Sequence, residues 1–126
     1  MIIVRDGTEA LDLSAFKILN LNIQEMVLPE NVGPGLARQA GLTAAAGKYI
    51  MFCDADDTLH SVGVIGAMLQ EMEKNQWDIL RTSWLEEYFD PTQNQMIYVT
   101  HSLENTWLHG KMFRKDFLQK NNIFFH

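Results

Sequence analysis

The sequence predicts an α/β protein, a mainly parallel sheet flanked by helices, and three observations carry the prediction. Short apolar runs alternate with helix-like stretches along the chain, and the first three runs each stop on polar residues. Strands that alternate with helices in this way build parallel sheets, and such sheets bind ligands beyond the carboxyl ends of their strands. The third observation is size. A chain of 126 residues, 47% hydrophobic and 21% charged, is long enough for one core and too short for a second domain, so residues 1–126 are expected to form a single domain.

The elements follow in order. Residues 2–5, Ile-Ile-Val-Arg, read as a buried strand that ends at the turn signal Asp6-Gly7-Thr8. Leu11, Leu13 and Phe16 are expected core contacts in an irregular stretch, and residues 25–28 form a second strand closed by Pro29. A helix is predicted over 35–46, with Pro34 tolerated at its start and Gly47 as a left-handed terminator. Its Ala37, Ala40, Gly41, Ala44 and Ala45 make a small-residue face that lets it lie close on a sheet. A third strand covers 49–53. Ser61 is the expected N-cap of an amphipathic helix carrying Ile65, Met68, Leu69 and Met72 and ending near Lys74-Asn75. Strands at 78–84 and 96–100 flank the turn-rich Asp90-Pro91-Thr92-Gln93-Asn94 in a hairpin-like excursion. A helix over 114–120 and the start of a strand at 123–125 complete the reading.

Composition excludes several classes. A net charge of −6 argues against a nucleic-acid surface, although Lys111, Arg114, Lys115 and Lys120 offer a local basic patch. Cys53 is the only cysteine, so no internal disulfide exists, and its place in an apolar strand suggests packing. No stretch approaches the ~20 apolar residues of a membrane span, and no signal-peptide pattern opens the chain. A cytoplasmic location, with the inner face of the membrane as a place of work, is the expectation.

The chemistry concentrates in residues 49–61, YIMFCDADDTLHS, where an apolar strand stops on three carboxylates in four positions. A D-x-D-x-T run after a strand presents the nucleophile of haloacid-dehalogenase-type phosphatases: Asp54 would attack, Asp56 would act as acid/base and Thr58 would supply a hydroxyl. The same run holds a divalent metal in many nucleotide-sugar glycosyltransferases. A third reading is bland, because acids also gather ahead of a helix for its dipole. The phosphatase reading lacks a partner: the aspartates after Asp57 are Asp78, Asp90 and Asp116, and none is paired.

Residues 30–42, ENVGPGLARQAGL, followed by Ala45-x-Gly47-Lys48-Tyr49-Ile50-Met51-Phe52-x-Asp54-Ala55-Asp56-Asp57, resemble the core of family 2 glycosyltransferases of the GT-A fold. Ile3-Val4-x-Asp6-Gly7-Thr8 resembles that family's second strand. Trp107-x-x-Gly110-Lys111-Met112-Phe113-Arg114-Lys115 resembles the W-x-K-(L/M)-(F/Y)-(R/K)-(R/K) run of its bacterial members. Gln39 stands where the family prefers Asn. Measured against the family, the sequence looks like the middle of such a domain, without the first strand-helix unit and the acidic segment that holds the catalytic base.

The resemblance implies a nucleotide-sugar donor, UDP- or GDP-linked, a saccharide or lipid-linked acceptor, and Mg2+ or Mn2+. By it, Asp56 is the first metal ligand, with Asp54 or Asp57 on the ribose or a metal water, and Asp54 as a second ligand. Asp6 would accept hydrogen bonds from the base, Arg38 would reach the nucleotide or Asp54, and Lys111 would contact the diphosphate; Asn31 lies on the same donor-binding edge. For the catalytic base the sequence offers Glu86, Glu87 and Glu104 by charge only. The four histidines, His60, His101, His109 and His126, lack metal-ligand spacing, and His109, before Gly110-Lys111, is the one placed in a binding-type loop. The alternative is a non-catalytic nucleotide-sugar-binding or oligomerising accessory module, self-associating through a sheet edge left open.

Overall fold

Two parallel strands, β1 (Ile2–Asp6) and β2 (Gln24–Leu28), pair in register from Ile2 opposite Gln24 to Asp6 opposite Leu28. The computed structural model describes residues 1–14, 16, 21–102 and 106–126. It divides into two compact units, one of Met1–Lys48 with Leu118–His126 and one of Tyr49–Phe117.

In the first unit, helix α1 (Pro34–Ala44) packs on β1 through its small-residue face: a Cβ on Gly41 would come within 3.1 Å of Val4 Cγ2. The helix ends two residues earlier than the sequence predicts, because Ala45 turns to extended backbone and Gly47 is not left-handed among the described glycines. Gly7 does need its freedom. Its φ is 68°, and a Cβ there would stand 2.6 Å from the Asn31 nitrogen, so only glycine lets the end of β1 approach the loop before α1. Leu42 and Leu118 are buried, whereas Leu11 and Phe16, expected in the core, are exposed.

In the second unit, β3 (Tyr49–Met51) and β4 (Ile79–Arg81) both pair antiparallel with β7 (Lys111–Arg114), giving the order β3-β7-β4. Helix α2 (Val64–Asn75) covers this sheet, and Met68, Met72 and Met112 form its core with Tyr49, Met51, Val64 and Leu80 against them. Ile65 and Leu69, predicted on the buried stripe, are exposed, because the buried face runs through Val64, Met68 and Met72 at four-residue spacing. The N-cap is Gly63, not Ser61, whose carbonyl accepts the Val64 N–H.

The expected fourth strand breaks at Thr82-Ser83. Its second part becomes β5 (Trp84–Asp90), which pairs antiparallel with β6 (Gln95–His101) as the predicted hairpin. Asp90 closes the turn by accepting from the Thr92 N–H and hydroxyl, and these bonds hold its carboxyl below the usual range. Helix α3 (Lys115–Lys120) is predicted within a residue. No strand forms at 123–125. The Ile123 N–H returns to the Leu118 carbonyl and Asn122 is left-handed (φ 52°), a helix-ending motif, while the Phe125 N–H goes to Gln39 Oε1. The α/β class holds, and the pairing is mixed: parallel in β1–β2 and antiparallel in the other described pairs.

Met72 is fully buried in the sheet–helix core, so Met72→Ala is expected to lower stability by roughly 2–5 kcal/mol in urea unfolding. Asp90 gives a second test. Its lowered carboxyl means that the turn bonds are intact at neutral pH and lost as pH falls through that lowered value. The Thr92 amide resonance should therefore move at acidic pH, and Asp90→Asn should abolish that movement.

Candidate metal centre

The carboxylates are arranged by a turn, not by a strand. β3 ends at Met51, and the Asp57 N–H donates to the Asp54 carbonyl at 3.1 Å, leaving Ala55 and Asp56 at the apex. In a turn of this kind the first and fourth side chains lie on one side. Asp54 and Asp57 therefore come together, while Asp56 is exposed at the tip and outside the group.

The third member comes from the far side of the sheet register. β3 and β7 pair Met51 with Met112, and continuing this antiparallel register three residues sets position 54 opposite position 109. His109 Nε2 lies 4.0 Å from Asp54 Oδ2 and 3.5 Å from Asp57 Oδ2. One ligand atom from each of Asp54, Asp57 and His109 falls within 4.8 Å of the others.

The turn carrying His109 is fixed on both sides. Gly110 is left-handed (φ 62°), and its carbonyl accepts from both the N–H and the hydroxyl of Thr82, at 2.8 and 3.0 Å. A Cβ on Gly110 would stand 2.7 Å from Thr82 Oγ1. Lys111, expected at the diphosphate, is 8% exposed, and its ammonium donates to the Trp107 carbonyl. Aromatic rings surround the imidazole. Trp107 lies parallel to it, 6° between planes with centroids 5.8 Å apart, and Trp84 meets it edge-on at 4.9 Å. Trp84 in turn stacks on His101 at 4.1 Å. His109 Nδ1 and Trp84 Nε1 are buried without a hydrogen-bond partner among the described residues.

Two carboxylates and an imidazole suit a divalent cation. Donors each ~2.1 Å from a small ion stand roughly 3–4.2 Å from one another, so the observed spacings need only a slight contraction. The neighbouring Cys53, expected to pack, is exposed, and its sulfur lies 3.6 and 3.9 Å from the Asp54 and Asp57 carbonyls. Partial burial, then the charges of Asp57, Asp54 and Asp56, push its thiol up, which makes it a poor nucleophile.

The remaining candidates belong to other surroundings. In the first unit, Asp6 accepts from the Val32 N–H at 2.7 Å and the Gly33 N–H at 2.9 Å, and Asn31 Oδ1 shares the Gly33 N–H at 3.2 Å. Arg38 is half-buried on α1. On the hairpin, Glu86 is bonded to His101 Nε2 at 2.9 Å and Glu87 accepts from the Tyr98 hydroxyl at 3.1 Å; Glu104 lies outside the described residues. Arg114 of the basic patch pairs with Asp78 and Asp116. Sequence reasoning named Asp54 and Asp57 but gave His109 no metal role. The available signal was its place just before the Gly110-Lys111 entry to β7.

No helix among the described residues is long and apolar enough to cross a membrane. In solved structures the fold is similar to the crystal structure of S. aureus TarS 1-349, with a TM-score of 0.73 at 19% identity, over 99% of this chain and 40% of that one. Among curated proteins, the sequence is 26% identical over 109 residues to the uncharacterized glycosyltransferase YibD of Escherichia coli (strain K12), covering 85% of this chain and 28% of YibD. The chain thus spans well under half the length of either relative. The profile described as "Glycosyl transferase family 2" matches residues 1–126, the whole chain, and the chain belongs to that family.

Proposed function

We propose that the chain binds a nucleotide-diphosphate sugar through a divalent cation held by Asp54, Asp57 and His109, as the donor-binding part of an enzyme that passes the sugar to a saccharide or lipid-linked acceptor. The observation that carries this reading is the group of two carboxylates and one imidazole within 4.8 Å at the carboxyl end of β3, in a chain of a sugar-transferring family. Departure of a nucleoside diphosphate gathers negative charge on phosphate oxygens. A bound Mn2+ or Mg2+ supplies the positive charge that neutralises it, and the imidazole in the set favours Mn2+, since Mg2+ prefers oxygen ligands throughout.

The protein's part is to hold and orient. Asp54 and Asp57 supply two carboxylates on one side of a closed turn, and His109 offers a ring nitrogen from a turn locked by Thr82 and Lys111. Asp56, at the exposed apex, serves a ribose hydroxyl or a metal-bound water in this reading, so the metal role shifts from Asp56 to Asp57 and His109. Asp6, Asn31 and Arg38 keep their implied role as hydrogen-bonding partners of the nucleotide. Each Asp6 oxygen has a further lone pair beyond its backbone bond. Neither Glu86 nor Glu87 is assigned as base.

Calorimetric titration with UDP and with GDP, with and without Mn2+, tests the reading. Wild-type protein should bind one of the two only with metal. His109→Ala and Asp54→Ala should weaken that binding roughly tenfold or more, and Asp56→Ala should do so less. Absence of binding under every condition, or metal-independent binding unchanged in His109→Ala, would refute it.

A further inference from the structure

We propose that the exposed indole of Trp107 is a stacking platform for a pyranose ring, and that this ring belongs to the acceptor. The proposal rests on the glycosyltransferase reading above and adds where the second substrate lies.

Trp107 leaves 57% of its surface in water, yet it is not loosely held. One ring face lies parallel to His109, only 6° out of plane. Its own carbonyl is bonded by the ammonium of Lys111, the only charged side chain buried among the described residues. Three residues on, the chain is pinned again where Gly110 meets Thr82. A single exposed aromatic ordinarily needs no explanation. An exposed indole oriented from below by an imidazole, whose other edge faces Asp57 at 3.5 Å, is a flat apolar surface beside a polar cluster.

That pairing matches a pyranose, which has an apolar C–H face and a rim of hydroxyls. The face stacks on an aromatic ring, and the rim hydrogen-bonds to carboxylates and imidazoles. A donor is anchored by its charged diphosphate. A neutral acceptor has no charge to offer, so it depends on stacking and directional hydrogen bonds for its affinity. Preorganisation strengthens the case, because a ring fixed before binding loses little freedom when the sugar arrives.

The test uses the full chain with Mn2+ and UDP. Methyl β-glucoside, methyl β-galactoside and methyl N-acetyl-β-glucosaminide are added in turn and followed by saturation-transfer NMR and tryptophan fluorescence. At least one glycoside should bind, Trp107→Ala should weaken it roughly five- to tenfold, and Trp107→Phe should retain most of the affinity. Trp107→Phe, which keeps a ring beside His109, should hold UDP affinity within about twofold, and a cooperative thermal transition reports that both variants fold. If no glycoside binds the wild type, or Trp107→Ala binds it equally well, the platform is refuted. If Trp107→Ala instead loses the advantage of UDP-glucose over UDP, the ring serves the donor and the acceptor assignment falls. Failure of wild-type protein to bind nucleotide with Mn2+ would strike the functional reading alone. The glycoside arm, repeated without nucleotide, still decides the role of Trp107.

Discussion

Strand β7 is hydrogen-bonded on both sides, to β3 and to β4, and this double pairing determines what stands beside the carboxylates. Met112 opposite Met51 implies His109 opposite Asp54, while Met112 opposite Leu80 implies Gly110 opposite Thr82. Both consequences are met, the first as a 4.0 Å approach and the second as a 2.8 Å hydrogen bond. A slip of one residue would turn every side chain of β7 to the opposite face. It would take Met112 out of the methionine core and carry the imidazole away from Asp54. Core packing and site assembly are thus held by one register.

The same constraint explains a buried lysine. Placing an ammonium in a low-dielectric interior is unfavourable unless it is hydrogen-bonded. Lys111 meets that condition by reaching back four residues to the Trp107 carbonyl, which converts the strand's entry into a closed turn. A rigid turn suits a ligand-bearing loop, because a side chain that is already oriented loses less entropy when it binds. Nδ1 of His109 is buried without a hydrogen-bond partner among the described residues, which agrees with a ring whose position is set by packing against Trp84 and Trp107.

Much of this was legible in the letters. The parallel start of the fold follows from two apolar runs ahead of a small-residue helix, and the hairpin follows from Asp90-Pro91-Thr92-Gln93-Asn94. β7 was not legible as a strand. Four residues, Lys-Met-Phe-Arg, are too few to show a period, and their strand state comes from two partners distant in sequence. The reverse error occurred at 123–125. Ile-Phe-Phe has the composition of a strand, but with Asn122 left-handed the Ile123 N–H goes to the Leu118 carbonyl, and the long arm of Gln39 takes the Phe125 N–H. The approach of His109 to Asp54 was not legible, because spacing along the sequence is informative for helices and tight loops, whereas this approach is made by a pairing of strands.

The different placement of Asp56 and Asp57 has a similar cause. On an extended strand, residues two apart share a face, so a D-x-D run reaching out of a sheet would aim positions 54 and 56 the same way. Here the ladder stops at Met51, and by Asp54 the backbone has begun a turn whose closing bond runs from the Asp57 N–H to the Asp54 carbonyl. Within that turn, residues three apart converge and the two between them, Ala55 and Asp56, are carried to the tip. A polar turn that gathers two carboxylates beside an imidazole, in a chain of a sugar-transferring family, is a firmer basis for the proposed cation site than the letters D-x-D.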